Sequence, residues 1–255
     1  MDEQKVLILD TTLRDGEQTS GVSFTETEKL SLAKILLEEV KVDRLEITSA
    51  RVSEGEKRAA LRILNWAKDT DHLEKIEILG FVDQRESVKW IQEVGGKVMN
   101  LLAKGSVKHL RGQLRKTPEE HIESLIDTIE YANTLGIQIN LYLEDWSNGM
   151  IQSRDYVFQL MDALEDQPIL RFMLPDTLGV LQPSETALFV SEMIHRYPKL
   201  KFDFHAHNDY DLSIANVLEA VKAGVSCIHV TVNGLGERAG NAILSSSIAA
   251  LRDHL

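Results

Sequence analysis

His205 and His207 are separated by one residue at the end of the segment KFDFHAH, residues 201–207. On a β-strand, residues i and i+2 point to the same face, so both imidazole rings can reach one point in space. A chelated metal ion requires such an arrangement, and neutral imidazole is a common metal ligand. The two histidines could equally be ordinary polar residues at the rim of a fold, so the choice depends on what else can reach them.

Three other short segments carry polar side chains that could converge on the same point: TTLRDGEQ (11–18), YLED (142–145) and GLGERAGN (234–241). Asp15, His205 and His207, with Asn241 as a candidate fourth ligand, form a mixed nitrogen and oxygen set. Such a set suits a divalent ion such as Zn²⁺, Mn²⁺ or Mg²⁺. Coordination positions would remain open for substrate oxygens, which is typical of a catalytic metal site.

Three further polar residues are candidates for substrate binding and proton transfer. The Arg14 guanidinium can hold a carboxylate through two hydrogen bonds, but it could also form a structural salt bridge. Glu144 ends an otherwise apolar segment and is a candidate base; it could instead support a metal ligand or pair with Arg14. The Thr177 hydroxyl could bind a carboxylate or cap a helix.

Short apolar segments alternate with longer amphipathic ones, which predicts alternating strands and helices. The predicted strands are Lys5–Asp10, Arg44–Thr48, Ile76–Gly80, Lys97–Leu102, Gln138–Leu143, Leu170–Leu174, Lys201–His205 and Cys227–Val232. The predicted helices are Thr25–Glu39, Ser53–Lys68, Arg85–Val94, Thr117–Leu135, Ser153–Leu164, Pro183–Arg196, Leu212–Ala223 and Ala242–His254. Thr117, Pro118 and Glu120 have the spacing of a capping box with proline at the first helical position.

Eight strand–helix units in 255 residues predict an α/β fold, a (β/α)8 TIM barrel, formed by residues 1–255 as one catalytic domain. A doubly wound open sheet is the alternative, but no glycine-rich phosphate turn follows the first strand. In a barrel, all the polar candidates would lie at the carboxyl ends of strands. Barrel active sites are built on that face, so segments far apart in the sequence would meet there.

Composition narrows the classes of partner and compartment. The net charge of −12 makes nucleic acid an unsuitable partner, and an anionic substrate would depend on Arg14 and a metal for positive charge. The single cysteine, Cys227, excludes an intramolecular disulfide, which suits the cytoplasm, and its apolar neighbours predict a buried structural thiol. We expect neither a signal peptide nor a membrane helix, because no apolar segment reaches roughly 18 residues.

Three motifs, DTTLRDGEQ (10–18), HAHND (205–209) and NGLGERAGN (233–241), resemble the acyltransferase branch of the DRE-TIM metallolyase family. This branch contains isopropylmalate, homocitrate and citramalate synthases, and the resemblance covers the whole chain. Within it, the segments ILGFVD (78–83), NLLAKGS (100–106), YLEDWSNG (142–149) and LPDTLGVL (174–181) look most like bacterial citramalate synthases.

The resemblance implies a Claisen-type condensation of acetyl-CoA with a 2-keto acid, in the biosynthesis of isoleucine or leucine. The metal and Arg14 would polarise the keto group, and Glu144 would assist removal of a proton from the acetyl methyl group. By resemblance, Leu79, Leu102 and Tyr142 line the pocket for the side chain of the keto acid. All three are bulky and none is a cation, which favours pyruvate over 2-ketoisovalerate and 2-ketoglutarate.

Family members continue past the barrel into subdomains that supply further catalytic groups, help to bind acetyl-CoA and form a homodimer, and usually into a regulatory domain. We therefore expect residues 1–255 to be the catalytic barrel alone. Two alternatives stay open: a lyase or carboxyltransferase of the same superfamily, and a barrel that binds metal and keto acid without turnover.

Overall fold

A computed structural model describes residues 5–254. Eight parallel strands follow one another in sequence order and close into a barrel, because the first strand pairs with the last. The strands are β1 (Leu7–Asp10), β2 (Arg44–Ser49), β3 (Ile76–Phe81), β4 (Val98–Lys104), β5 (Gln138–Glu144), β6 (Ile169–Asp176), β7 (Phe202–Ala206) and β8 (Cys227–Val230). The predicted (β/α)8 barrel is confirmed, and the open sheet is wrong.

The helices surround the barrel in the connections between strands. They are α1 (Glu26–Lys34), α2 (Glu54–Asp69), α3 (Glu86–Val94), α4 (Val107–His109), α5 (Pro118–Thr134), α6 (Trp146–Gln152), α7 (Arg154–Leu164), α8 (Pro183–Arg196), α9 (Ser213–Ala223) and α10 (Leu244–His254). The predicted helix Thr25–Glu39 continues past Lys34 as a π-helix over Ile35–Val40. The capping box predicted at Thr117 is present.

Helix α6 was not predicted, because WSNGMIQ has little helical periodicity. It follows β5 directly and packs against the end of β4. A Cβ atom on Gly149 would collide with the carbonyl oxygen of Gly105, so glycine is required for this close approach. The packing fixes the connections after β4 and β5, which flank the carboxyl rim of the barrel.

Side chains alternate between two apolar groups on opposite faces of the strands. The large group joins the outer face of the strands to the helices. The small one lies inside the barrel and consists of Leu9, Leu79, Tyr142, Met173 and Cys227. Within residues 5–254, no helix is both long and apolar enough to cross a membrane.

The barrel interior also holds a buried layer of charged residues. Arg44 pairs with Glu77 and Asp203, and Arg171 pairs with Asp203 through Nε at 2.6 Å. The Cys227 thiol is buried as predicted, but its surroundings are not purely apolar, since Sγ lies 3.3 Å from Arg44 Nη1. Buried charges must be paired to be tolerated, so this layer closes the barrel below the rim.

Candidate active site

A tight turn after β1 carries Arg14 and Asp15. The backbone amides of both residues donate to the Thr11 carbonyl, at 3.1 and 2.9 Å. Lys29 of α1, which is 1% exposed, anchors the turn from outside, because its ammonium pairs with Glu17 and Glu56 at 2.6 Å. The turn is therefore held from both sides before any ligand binds.

Arg14 lies at the centre of the carboxyl rim and is almost fully paired. Its Nε donates to Glu46 at 2.6 Å and its Nη1 donates to Asp15 at 2.8 Å. Nη2 lies 3.4 Å from the Tyr142 hydroxyl, a weak contact that leaves this nitrogen the freest of the three. Burial opposes the charge, but Glu46 and Asp15 raise the pKa of Arg14 above its ordinary value. The guanidinium is thus a permanent cation beside the metal-ligand candidates.

Asp15, His205 and His207 converge as predicted, and all three are buried. The Nε2 atoms of His205 and His207 lie 3.2 Å apart. Asp15 Oδ2 lies 3.5 Å from His205 Nε2 and 3.8 Å from His207 Nε2. Ligands bound to one ion at about 2.1 Å lie roughly 3.0–3.4 Å apart. The observed separations are at or slightly above this range, so the group could hold one divalent ion.

The ionisation of the three residues suits a metal. Burial lowers the pKa of His205, and burial together with His205 lowers the pKa of His207 to about 4. Both rings are therefore neutral at physiological pH, the form that ligates metals. Burial disfavours the charge on Asp15, but Arg14 and His205 hold the pKa of its carboxyl well below the usual range.

Asn241 reaches the same group from the loop after β8. Its Nδ2 donates to Asp15 Oδ1 and to the Leu235 carbonyl, both at 3.0 Å. Its Oδ1, the amide atom that can ligate a metal, is buried and finds no hydrogen-bond partner within residues 5–254. A Cβ atom at Gly236 would overlap the Asn241 amide, which explains the need for glycine in the loop. A buried oxygen without a hydrogen-bond partner is suited to ligate a cation.

A cavity of about 200 Å³ opens beside these residues. Leu79, Leu102 and Tyr142 line it, as the resemblance implies, together with Arg14 and Thr177. Its other lining residues are Asp15, Gln18, Ser49, Phe81, Glu144, Pro175, His205, His207 and Glu237. Pockets for drug-sized ligands measure roughly 300–1,000 Å³, so this cavity suits a smaller molecule.

Glu144 lies at the cavity wall, but its partner is not Arg14. Its carboxylate forms an ion pair with Lys104, the last residue of β4, and His109 Nδ1 lies 3.9 Å away. The idea that Glu144 pairs with Arg14 is therefore wrong, because β4 provides a nearer cation in register with the end of β5. The ion pair fixes the carboxylate at the mouth of the cavity, with 22% of the side chain exposed.

Thr177 does not cap a helix by its side chain. Its Oγ1 accepts a hydrogen bond from the Asp145 amide at 2.8 Å, and its carbonyl accepts one from Arg238 Nη2 at 2.7 Å. The hydroxyl hydrogen is still available to donate, since the contact with Asp145 uses only a lone pair. The hydroxyl can therefore donate to an anionic ligand in the cavity.

Sequence reasoning missed two residues that hold the predicted ones. Glu46 accepts from Arg14, from Thr11 Oγ1 at 2.7 Å and from Asn100 Nδ2 at 2.8 Å, and Lys104 binds Glu144. A signal for Glu46 was present: Arg44 and Glu46 alternate with apolar residues in β2, so they must point into the barrel together. Lys104 follows an apolar strand in the same way as Glu144 does.

A second group, Asp203, Cys227 and His229, also has metal-ligand spacing. Asp203 already accepts from Arg44 Nη1 at 2.5 Å and from Arg171 Nε at 2.6 Å. Asp203 thus shares its charge with two guanidinium groups, one of which also pairs with Glu77, and these cations would repel a metal ion. This deeper group is therefore a structural layer, and the Asp15–His205–His207 group is the candidate metal centre.

The fold and the site together define the class: a (β/α)8 barrel with a candidate divalent-metal centre and a partly buried arginine at its carboxyl rim. The family model described as HMGL-like matches residues 5–254, and the chain belongs to this family. Among solved structures, HMG-CoA lyase from Acinetobacter baumannii superimposes with a TM-score of 0.82 at 19% identity, over 99% of this chain and 85% of that one. At such identity the likeness concerns the fold alone.

Three relatives from Methanopyrus kandleri have different names at similar identity. "Homocitrate synthase AksA" is 38% identical, "Probable 2-isopropylmalate synthase" 36% and "Putative (R)-citramalate synthase CimA" 34%. The alignments cover 98%, 97% and 98% of this chain and 60%, 48% and 47% of the relatives. The chain thus spans about half the length of these curated relatives. Identity does not separate the three activities, so the substrate must be argued from the cavity.

Proposed function

We propose that this barrel condenses acetyl-CoA with a 2-keto acid in a metal-dependent Claisen-type reaction, and that the keto acid is pyruvate, which gives citramalate. One observation carries the proposal: Arg14 and the Asp15–His205–His207 group border one small cavity whose remaining wall contains Leu79, Leu102 and Tyr142. A cation and a candidate metal centre that share one small cavity with bulky side chains match a short keto acid.

The charges around the cavity argue against a dicarboxylic keto acid. Arg14 is the one arginine or lysine among the lining residues, and it is already balanced by Glu46 and Asp15. Glu144 and Glu237 add negative charge at the wall. The second carboxylate of 2-ketoglutarate would find no cation there and would lose solvation. Homocitrate synthesis is therefore disfavoured, although a relative of that name has the highest identity of the three.

Size argues against 2-ketoisovalerate, the keto acid for isopropylmalate. Its isopropyl group would have to displace Leu79, Leu102 or Tyr142, which are packed against one another in the barrel interior. Excluding one or two methyl groups contributes about 1–3 kcal/mol of discrimination. The preference for pyruvate is therefore expected to be about 10- to 200-fold rather than absolute.

In the proposed reaction, Asp15, His205, His207 and Asn241 would hold the divalent ion, which would supply Lewis-acid polarisation of the keto group. Arg14 Nη2 binds the substrate oxygens, and the Thr177 hydroxyl donates to the carboxylate. Glu144 accepts a proton from the methyl group of acetyl-CoA, and Lys104 keeps its carboxylate at the cavity mouth. The resulting enolate carbon attacks the keto carbon, the keto oxygen receives the electron pair of the C=O bond and takes up a proton to become the hydroxyl of the product, and water hydrolyses the thioester to release CoA.

The proposal is tested by titrating pyruvate, 2-ketoisovalerate and 2-ketoglutarate into Mn²⁺-loaded protein by calorimetry, followed by an assay for free CoA thiol with acetyl-CoA. We expect pyruvate to bind tightest. Pyruvate binding with CoA release would support the whole proposal, and pyruvate binding without release would restrict it to a barrel that binds keto acid. Tighter binding of either larger keto acid would overturn the assignment of substrate.

A further inference from the structure

A chain of hydrogen bonds runs from the cavity down into the barrel. Tyr142 Oη lies 3.0 Å from His229 Nδ1, and His229 Nε2 lies 3.3 Å from Asp203 Oδ2. The three residues come from β5, β8 and β7, and are 3%, 1% and 0% exposed. Of the three, only Tyr142 lines the cavity, and it is the residue through which His229 is hydrogen-bonded towards a ligand; the His229 ring also packs edge-on against His205 at 5.4 Å.

The directions of these hydrogen bonds follow from Asp203. Its carboxylate forms ion pairs with Arg44 Nη1 at 2.5 Å and with Arg171 Nε at 2.6 Å, and two such partners hold it ionised. An ionised carboxylate can only accept, so His229 must carry its hydrogen on Nε2. His229 is 1% exposed, and the one carboxylate it contacts is already paired with two guanidinium groups, so no free anion is left to balance an imidazolium; the ring is neutral and Nδ1 is an unprotonated acceptor. Tyr142 must therefore donate its hydroxyl hydrogen to His229.

This direction determines what Tyr142 offers to a ligand. With its hydrogen directed at His229, the phenol oxygen presents only lone pairs, and the nearest donor is Arg14 Nη2 at 3.4 Å. The ring stands edge-on to His205 and His229, with centroids 6.0 and 5.5 Å away. The hydroxyl has no hydrogen left to donate to the substrate. The Tyr142 ring therefore only lines the cavity, and its position is determined by the hydrogen bond to His229 in the barrel interior.

We propose that His229, oriented by Asp203, is a positioning residue that fixes the Tyr142 ring against the keto-acid cavity and thereby sets the size selection. The inference rests on the proposed function and adds to it a determinant of specificity that does not touch the substrate. Freed from His229, the Tyr142 ring could swing away and leave room for a branched side chain.

Two variants of His229 form a matched pair. His229→Asn keeps an acceptor oxygen close to the position of Nδ1 but gives up the donor to Asp203. His229→Gln keeps a donor nitrogen close to the position of Nε2 but loses the acceptor for Tyr142. We measure the ratio of the dissociation constants of 2-ketoisovalerate and pyruvate on Mn²⁺-loaded protein. This ratio does not depend on the fraction of protein that is correctly folded.

We expect His229→Gln to reduce the preference for pyruvate by roughly tenfold, the lower end of the selection attributed to the pocket. His229→Asn should keep it within about threefold, and the effect of His229→Gln should vanish in a Tyr142→Phe background, because the hydroxyl is then absent. An unchanged ratio in His229→Gln, or an equal loss in the Tyr142→Phe background, would overturn the inference.

A second measurement separates this inference from the proposed function. Nitrogen-15 NMR of the histidine rings, on metal-free protein, reports which nitrogen of His229 carries the hydrogen. An Nε2–H tautomer supports the proposed direction of the hydrogen bonds from Tyr142 to His229 and from His229 to Asp203. An Nδ1–H tautomer overturns it, whichever substrate binds. If the tautomer is as expected but wild-type protein binds none of the keto acids, the proposed function fails, and with it the role of His229 in selection.

Discussion

Arg14 donates to Glu46 through Nε at 2.6 Å, and Glu46 is completely buried in the barrel interior. Glu46 is itself held by Thr11 and Asn100. Burial disfavours its charge, but Arg14 and these donors lower the pKa of the Glu46 carboxyl below the ordinary value. The cation at the cavity is thus fixed by an anion below it, and one edge of the guanidinium is kept free for a ligand.

Replacing Arg14 with lysine should therefore weaken keto-acid binding without removing the positive charge. An ammonium cannot bind Glu46, Asp15 and a substrate carboxylate together in the planar arrangement of a guanidinium. We expect the dissociation constant of pyruvate to rise roughly 10- to 100-fold in Arg14→Lys, the loss of one charge-assisted hydrogen bond. Calorimetry on Mn²⁺-loaded protein measures it, with Arg196→Lys on the outer helix α8 as the control. An unchanged dissociation constant of pyruvate would show that Arg14 has a structural role and does not bind the keto acid.

If the candidate metal centre binds a metal ion, replacing one of its ligands should lower metal affinity, and replacing a histidine on the protein surface should not. His207→Ala removes one of four buried ligand candidates and should weaken Mn²⁺ or Zn²⁺ binding at least about 100-fold, since removal even of an outer partner of a ligand costs about 10- to 100-fold. His195→Ala, on the exposed face of α8, is the matched control and should bind as the wild type does. The metal content of both variants and the wild type is measured after dialysis. Equal metal retention in both variants would disprove the ligand set.

The cavity wall predicts a change of substrate tolerance. Leu102→Ala and Tyr142→Ser enlarge the cavity, so 2-ketoisovalerate should gain affinity relative to pyruvate by roughly 10- to 200-fold. Leu101→Ala, the neighbour of Leu102 that faces the helices, is a control for general destabilisation and should leave the ratio unchanged. If Leu102→Ala bound both keto acids in the wild-type ratio, size exclusion would not explain the selection.

The sequence predicted the fold because a parallel barrel repeats one simple pattern eight times. Each predicted strand is present, and the bounds differ by at most two residues; β6, for example, ends at Asp176 rather than Leu174. The π-helical form of the residues after α1 was missed, and so were the short helices α4, which continues as a π-helix over Leu110–Leu114, and α6. The first depends on how α1 ends against β2, and α6 depends on tertiary contact at Gly149, neither of which a local pattern records.

Once the barrel was predicted, the convergence of its polar residues could be predicted too, because the carboxyl ends of all eight strands meet at one rim. These residues are Asp15, His205, His207 and Asn241. The partners of those residues were less predictable. Lys104 meets Glu144 through the register of β4 on β5, and His229 meets Tyr142 across the barrel interior. Such pairs depend on the closure and tilt of the strands, which the spacing of residues along the chain does not determine.

A buried histidine outside the candidate metal centre gives the protein a sensitivity to acid. His121, in α5, is fully buried, and its Nε2 accepts a hydrogen bond from the backbone amide of Lys104 at 3.0 Å. Burial, with smaller contributions from Lys116 and Lys104, lowers the pKa of His121 to about 4. The folded protein therefore resists protonation at a pH at which the unfolded chain, with a pKa near 6.5, takes up a proton.

Since the unfolded state binds more protons in this interval, stability must fall as the pH drops from about 6.5 towards 4 and level off below. His121 alone should lower the free energy of unfolding by about 2 kcal/mol between pH 7 and pH 5.

In His121→Gln, an amide oxygen can accept from the Lys104 amide but does not titrate, so this part of the stability loss should disappear. In the control His195→Gln it should remain. Urea unfolding of metal-free protein at both pH values measures the difference. If His121→Gln lost as much stability as the wild type, the ring would already be protonated in the folded state, and its bond to the Lys104 amide would have to be absent.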